Sequence, residues 1–199
     1  MKDFTSFKYF YAKNSKVLNI VLHGASVGIE TPFMKKVFTA LSDRNESTIM
    51  FNFPYYERKG VMSSGSRLEE ELEMLAAFMD YAESEKYKHI RLVGKSLGGI
   101  VASYFLREVP KEDHQKYSVV VLGYIIGGTK LKDFGGKITI IQGEKDKYGN
   151  IESIKKDLNA AKSKAIHYFE IKGADHSYRN EQKEPEFEDE VIKVLFSFE

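Results

Sequence analysis

The 199-residue chain contains no cysteine. That excludes disulfides, thiolate metal sites and a cysteine nucleophile, and leaves any covalent chemistry to another side chain. An excess of one charge is also missing: 30 Lys and Arg stand against 29 Asp and Glu, a net charge of +1. No global field argues for nucleic acid or an anionic membrane, so binding has to come from a local site. No apolar run approaches the ~18 residues of a membrane span. The opening "MKDFTSFKYFYAKNSK" interleaves charged and aromatic residues and lacks the apolar core of a signal peptide. A cytoplasmic protein with no membrane partner is the expectation. Repeats, low-complexity tracts and Pro/Gly-rich linkers are absent as well, which predicts one domain over 1–199. The histidines and carboxylates show no metal-ligand spacing such as H-E-x-x-H, so neither a metal nor a cofactor is expected.

What is present is a globular composition, 42% hydrophobic and 13% aromatic, in a chain long enough to bury roughly 70% of its unfolded surface. Short apolar runs predict strands over 7–12, 17–22, 48–53, 90–93, 118–122, 138–142 and 165–171. Several are β-branched and apolar on both faces, as buried parallel strands are. Helices are predicted between and after them, over 32–43, 67–86, 100–108, 150–162 and 186–198. In the second helix, Leu68, Leu72, Leu75, Ala76 and Met79 recur at helical spacing and paint one apolar face. Alternation of this kind predicts an α/β architecture, a mostly parallel sheet with helices on both faces. The alternating Phe7, Tyr9 and Tyr11 instead read as an antiparallel edge strand.

Ligands of such sheets gather beyond the carboxyl ends of the strands. Four strand-end loops there carry chemistry: His23-Gly24-Ala25-Ser26, Gly94-Lys95-Ser96-Leu97-Gly98, Gly143-Glu144-Lys145-Asp146 and Gly173-Ala174-Asp175-His176. The second contains Gly-Lys-Ser, the end of a phosphate-binding loop, but that motif needs a glycine where His89 stands. G-x-S-x-G fits in full, between an apolar strand and a helix, and is a nucleophile's turn. A serine hydroxyl attacks carbonyls usefully only when a neutral imidazole accepts its proton and a carboxylate fixes the imidazole's tautomer. Ser96, His176 and Asp146 are the candidates for those roles, in the chain order Ser, Asp, His. The Leu97 N–H, at the start of the following helix, and the Ala25 N–H are the candidate oxyanion donors.

Each assignment has a competitor. Ser103 lies inside a predicted helix and Ser26 lacks a glycine frame, so both read as structural. Asp175 adjoins His176 and could simply solvate its loop; Asp146, after a strong strand, is preferred. His89, His114 and His167 lack a glycine-bearing strand-end loop, and His23 reads as shaping the Ala25 loop. Lys95, Lys130 and Lys132 are expected to be solvated surface charges.

The combination "HGA" with "TPFM", "FNFPY", "GKSLGG", "LGY", "IQGEKDKYG" and "GADHSY" resembles small, lidless α/β hydrolases of the dienelactone-hydrolase-like type. It is most similar to a subfamily shared by bacterial hydrolases and by the hydrolase-like domain of a histone-acetyltransferase-complex subunit and its testis-expressed relative. The resemblance implies the α/β-hydrolase fold without a large cap, a Ser96–Asp146–His176 triad, and Ala25 with Leu97 as oxyanion donors. Where such relatives carry a short proline-bearing loop after "LGY", this chain has "IIGGTKLKD". The expected activity is cleavage of a small-molecule ester or thioester through an acyl-enzyme on Ser96, with Tyr55, Tyr56, Tyr124 and Ile125 as pocket walls. Two readings stand beside it: a non-catalytic protein-interaction module, and an acyltransferase or peptidase using the same triad. Sequence leaves monomer and dimer equally open.

Overall fold

The computed structural model describes residues 5–58 and 62–197. The elements in chain order are β1 (Phe7–Phe10), β2 (Val17–Leu22), α1 (Pro32–Ser42), β3 (Ser47–Phe51), α2 (Pro54–Glu57), α3 (Glu69–Tyr81), β4 (His89–Lys95), α4 (Leu97–Glu108), β5 (Tyr117–Leu122), β6 (Lys137–Gly143), α5 (Ile151–Asp157), β7 (Ile166–Ile171) and α6 (Glu188–Leu195). The strands form one sheet in the order β1-β3-β2-β4-β5-β6-β7. β1 pairs antiparallel with β3 at one edge, as its aromatic alternation predicted, and the remaining pairs are parallel.

Successive side chains of a strand point to opposite faces, and each face here has its own core. On one, Leu18, Ile20 and Leu22 of β2 join Leu92 of β4, Phe78 of α3, Val101 of α4 and Ile154 of α5. On the other, Val21 and Val93 meet Val37 of α1 and Val191 of α6. Both faces are thus covered, which is why apolar residues occupy both faces of the central strands, while the buried Asn19 of β2 and Arg91 of β4 bond to each other and to Glu46. Among the described residues no segment forms a large cap over the carboxyl ends of the strands, and the β5–β6 connection holds only a short 3₁₀ turn, Leu131–Asp133. No described helix is long and apolar enough to cross a membrane.

Helix ends differ most from expectation. α3 begins at Glu69 because Leu68 adopts a left-handed conformation, φ 56°, and the chain continues through a 3₁₀ turn at Ser84–Lys86. Its buried face uses Met74 and Phe78 with Leu75 and Met79, whereas Ala76 is exposed. α5 stops at Asp157, whose carboxylate accepts the Tyr124 hydroxyl and the Gly127 N–H. Of the predicted last helix, 188–195 is helical, and Phe198 lies outside the described residues.

Candidate active site

Ser96 sits between β4 and α4 with φ 52° and ψ −113°. A non-glycine residue in such a conformation costs about 1–3 kcal/mol and persists only where its surroundings enforce it. Here the enforcement is close packing. A Cβ on Gly94 would lie 2.4 Å from the Gly98 carbonyl carbon, and one on Gly98 would lie 2.2 Å from the Leu22 carbonyl oxygen. Gly99 lets α4 approach β5, since a Cβ there would meet Val121 at 2.7 Å. The Ser96 N–H donates to Leu122 O at 2.9 Å. The turn is therefore wedged between two strand ends and projects its hydroxyl outward.

Two further loops reach that hydroxyl. His176, after β7, places Nε2 2.9 Å from Ser96 Oγ. Its Nδ1 lies 2.6 Å from Oδ2 of Asp146, which follows β6. A carboxylate can only accept, so Nδ1 carries a proton, and in the neutral ring Nε2 is left to accept the Ser96 hydroxyl. The Asp146 side chain is fully buried, and its Oδ1 accepts the Tyr148 N–H at 2.9 Å. Asp175 is turned elsewhere: it accepts the N–H groups of Ser177 and Arg179 and pairs with Lys183. Burial opposes its ionisation, but Lys183 and the two N–H groups outweigh that and hold its carboxyl below the usual range.

The loop after β2 is locked by His23. Its Nε2 accepts the Phe53 N–H at 2.8 Å, so Nδ1 donates to Gly24 O, also at 2.8 Å. The Tyr55 hydroxyl donates to the same carbonyl at 3.0 Å. Burial lowers the His23 pKa to about 4, against weaker opposing contributions from the Gly24 carbonyl and Glu57. The ring is thus a neutral structural clamp. It sets Gly24 so close to the serine that a Cβ there would lie 3.6 Å from Ser96 Cβ. Ala25 follows and lines the adjoining cavity, while Leu97 opens α4, where the first N–H groups of a helix lack intrahelical acceptors.

This arrangement on this sheet has counterparts. Residues 15–197 match the family model described as an alpha/beta hydrolase domain. The chain belongs to the α/β-hydrolase family. No curated protein matches it at significance. Among solved structures, an alpha-beta serine hydrolase homologue from Coxiella burnetii superposes with a TM-score of 0.73 at 18% identity, covering 95% of this chain and 88% of that one. Est1E from Butyrivibrio proteoclasticus, solved with ferulic acid bound, gives 0.72 at 15% over 97% and 93%. A lidless serine hydrolase from Xanthomonas campestris gives 0.71 at 15% over 95% and 85%. At these identities the likeness is one of fold.

Beside Ser96 the α/β hydrolase has a cavity of about 300 Å³. Its apolar wall includes Val27, Phe33, Met34, Met62 and Pro185, with Arg179 among the polar residues. The four residues expected as walls do not line it. Tyr55 is buried under the β2 loop by its bond to Gly24 O, and Tyr56 packs on the outer side of His23. Tyr124 is buried with its hydroxyl on Thr129 and Asp157, and Ile125 begins the turn that its carbonyl closes onto Gly128. Apart from Val27 and Met62, the apolar wall comes from the start of α1 and the segment before α6, which lie far apart in sequence. The "TPFM" stretch directly after the β2 loop was the available signal for Phe33 and Met34. Lys95 also departs from expectation: Lys130 and Lys132 are exposed, but Lys95 is buried.

Proposed function

We propose that this α/β hydrolase is a serine hydrolase that cleaves a small carboxylic ester or thioester through an acyl-enzyme on Ser96. The observation that carries this reading is the continuous hydrogen-bonded line from Ser96 Oγ through His176 to Asp146, at 2.9 and 2.6 Å. As Oγ forms its bond to the acyl carbon, Nε2 of His176 takes the hydroxyl proton and Asp146 stabilises the imidazolium. The carbonyl oxygen, now an oxyanion, is held by the N–H groups of Ala25 and Leu97. Collapse breaks the bond to the alcohol or thiol, which leaves with the proton from His176. Water then attacks the acyl-enzyme, giving its proton to His176, and the acid departs as Ser96 recovers the proton.

Within the family we assign the chain to the dienelactone-hydrolase-like group shared with the hydrolase-like domain of a histone-acetyltransferase-complex subunit, on its "GKSLGG", "IQGEKDKYG" and "GADHSY" segments. The absence of a large cap among the described residues and the roughly 300 Å³ cavity favour short acyl groups. Ser96→Ala tests the reading directly on p-nitrophenyl butyrate. The variant is expected to keep its circular dichroism and melting behaviour and to lose turnover by about 10⁶. A folded variant that retains turnover refutes it, and a wild-type protein inert towards esters and thioesters favours the interaction-module reading.

A further inference from the structure

Lys95 is the residue immediately before the proposed nucleophile, and its ammonium turns beneath the site instead of into solvent. Nζ donates to the main-chain carbonyl of His176 at 2.7 Å and lies 5.5 Å from the centre of the Tyr178 ring. Gly123, at φ 76°, leaves the space for this: a Cβ there would lie 2.9 Å from Lys95 Nζ and 3.0 Å from His176 Cε1. The ammonium and the imidazole are therefore close neighbours across a missing side chain. A lysine so placed contributes more than surface solvation, because a buried charge is costly unless compensated.

The compensation is found on the neighbouring loops. Asp146 and Asp175 both favour the charged ammonium, while burial is the larger influence and lowers its pKa to about 8. Lys95 is thus still mostly protonated at pH 7. Asp175 already carries Lys183, and Tyr178 is neutral, its phenol held well above the usual range by burial and donating to Ile141 O. Around the imidazole stand Asp146, Lys95, the Ser96 hydroxyl and the Tyr148 ring, whose centroid is 4.6 Å away and which carries Lys147 against it; Arg179 lines the adjoining cavity. The buried Asp146 carboxylate thus has two possible sources of positive charge, Lys95 and a protonated His176.

We propose that Lys95 is a positioning residue: it clamps the His176 main chain and supplies the buried counter-charge that leaves the imidazole neutral and free to accept the Ser96 proton. The inference rests on His176 being the base of the proposed reaction. Without the ammonium, the carboxylate would be balanced by protonating His176, and the base would be blocked to higher pH.

The test compares Lys95→Met, Lys95→Gln and Lys95→Arg with wild type by two readouts: the pH profile of kcat/KM on p-nitrophenyl butyrate, and NMR titration of the His176 ring, which needs no turnover. In the Met and Gln variants the acid limb and the ring titration are expected to move up by about one to two pH units. kcat/KM below the limb falls about tenfold per unit. Arg keeps the charge, so its limb stays with wild type even if its rate falls. If the Met variant does not fold, the Gln and Arg pair carries the same comparison. A uniform loss of rate with limb and ring titration unmoved in the uncharged variants overturns the proposal. The ring titration is read without turnover, so an unmoved ring in the uncharged variants overturns this proposal even where Ser96→Ala loses turnover and the hydrolase reading stands.

Discussion

Asp146 and His176 meet at 2.6 Å although 30 residues separate them, while Asp175, adjacent to His176 in sequence, faces away from the ring. Asp175 opens a turn that the Tyr178 N–H closes onto its carbonyl, and its carboxylate is held by the N–H groups of Ser177 and Arg179 on that turn. The carboxylate that reaches Nδ1 comes instead from the loop after β6, and the parallel β6–β7 pairing brings the two strand ends side by side.

From this follows an asymmetry between the two acids. Asp146→Asn should lower kcat for ester hydrolysis by roughly 10³ to 10⁴, because an amide can stabilise the wrong imidazole tautomer. Asp175→Asn should cost far less in kcat, with its effect mainly on the stability of the loop it shares with Lys183. Steady-state kinetics on the two variants, checked by melting curves, decide the matter, and a reversed order would show that the acid is misassigned.

His23 makes acid stability measurable. Its pKa falls from 6.5 to about 4 on burial, so between those values the unfolded chain binds a proton that the folded chain refuses. Folding stability from this residue is therefore fully present above pH 6.5 and declines as pH falls towards 4, by about 3 kcal/mol in total. Protonation would also turn Nε2 into a donor facing the Phe53 N–H. His89 is shifted in the same direction, so the contribution of His23 is read from the difference between wild type and His23→Asn. Denaturant titrations from pH 7 to 4 should show a shallower loss in the variant, from a lower starting stability; parallel curves would contradict the account.

Phe33 should set acyl length. It is buried at the cavity wall and packs on Tyr178, with ring centres 5.3 Å apart. Wild type should prefer acetyl to butyryl esters over longer ones, and Phe33→Ala should move the optimum towards hexanoyl and beyond. A p-nitrophenyl ester series reads this out. Wild-type preference for dodecanoyl chains, or an unchanged optimum in a folded variant, would show that the acyl group lies elsewhere.

The order of strands and helices was legible because the central strands are apolar on both faces and two glycine-framed turns punctuate them. Residues 17–22 form a strand to the residue, a run apolar apart from Asn19 and bounded by Lys16 and His23. Helix ends were less readable: Leu68 is buried but takes a left-handed conformation, which its place in the apolar spacing does not show. The loops bearing Ser96, Asp146 and His176 could be picked out because each follows a strong strand. Lys95 and the cavity wall could not. Whether a lysine at a strand end points to water or under its neighbour depends on Gly123 being side-chain-free, and Phe33 and Pro185 become neighbours only once α1 and the segment before α6 are docked on the sheet.

The central claim is that Ser96 is the one activated serine, and covalent labelling with a fluorophosphonate tests it most directly. Ser26 is exposed at the cavity rim and lacks an imidazole contact among the described bonds. Ser103 is buried, bonded to Ile100 O and Lys130 N. Peptide mass spectrometry after treatment of the native protein should therefore find the phosphonyl adduct on Ser96, at unit stoichiometry, and none after heat denaturation or in His176→Ala. An adduct on Ser26 or Ser103 with Ser96 unmodified, or no adduct on the native protein at all, would contradict the account.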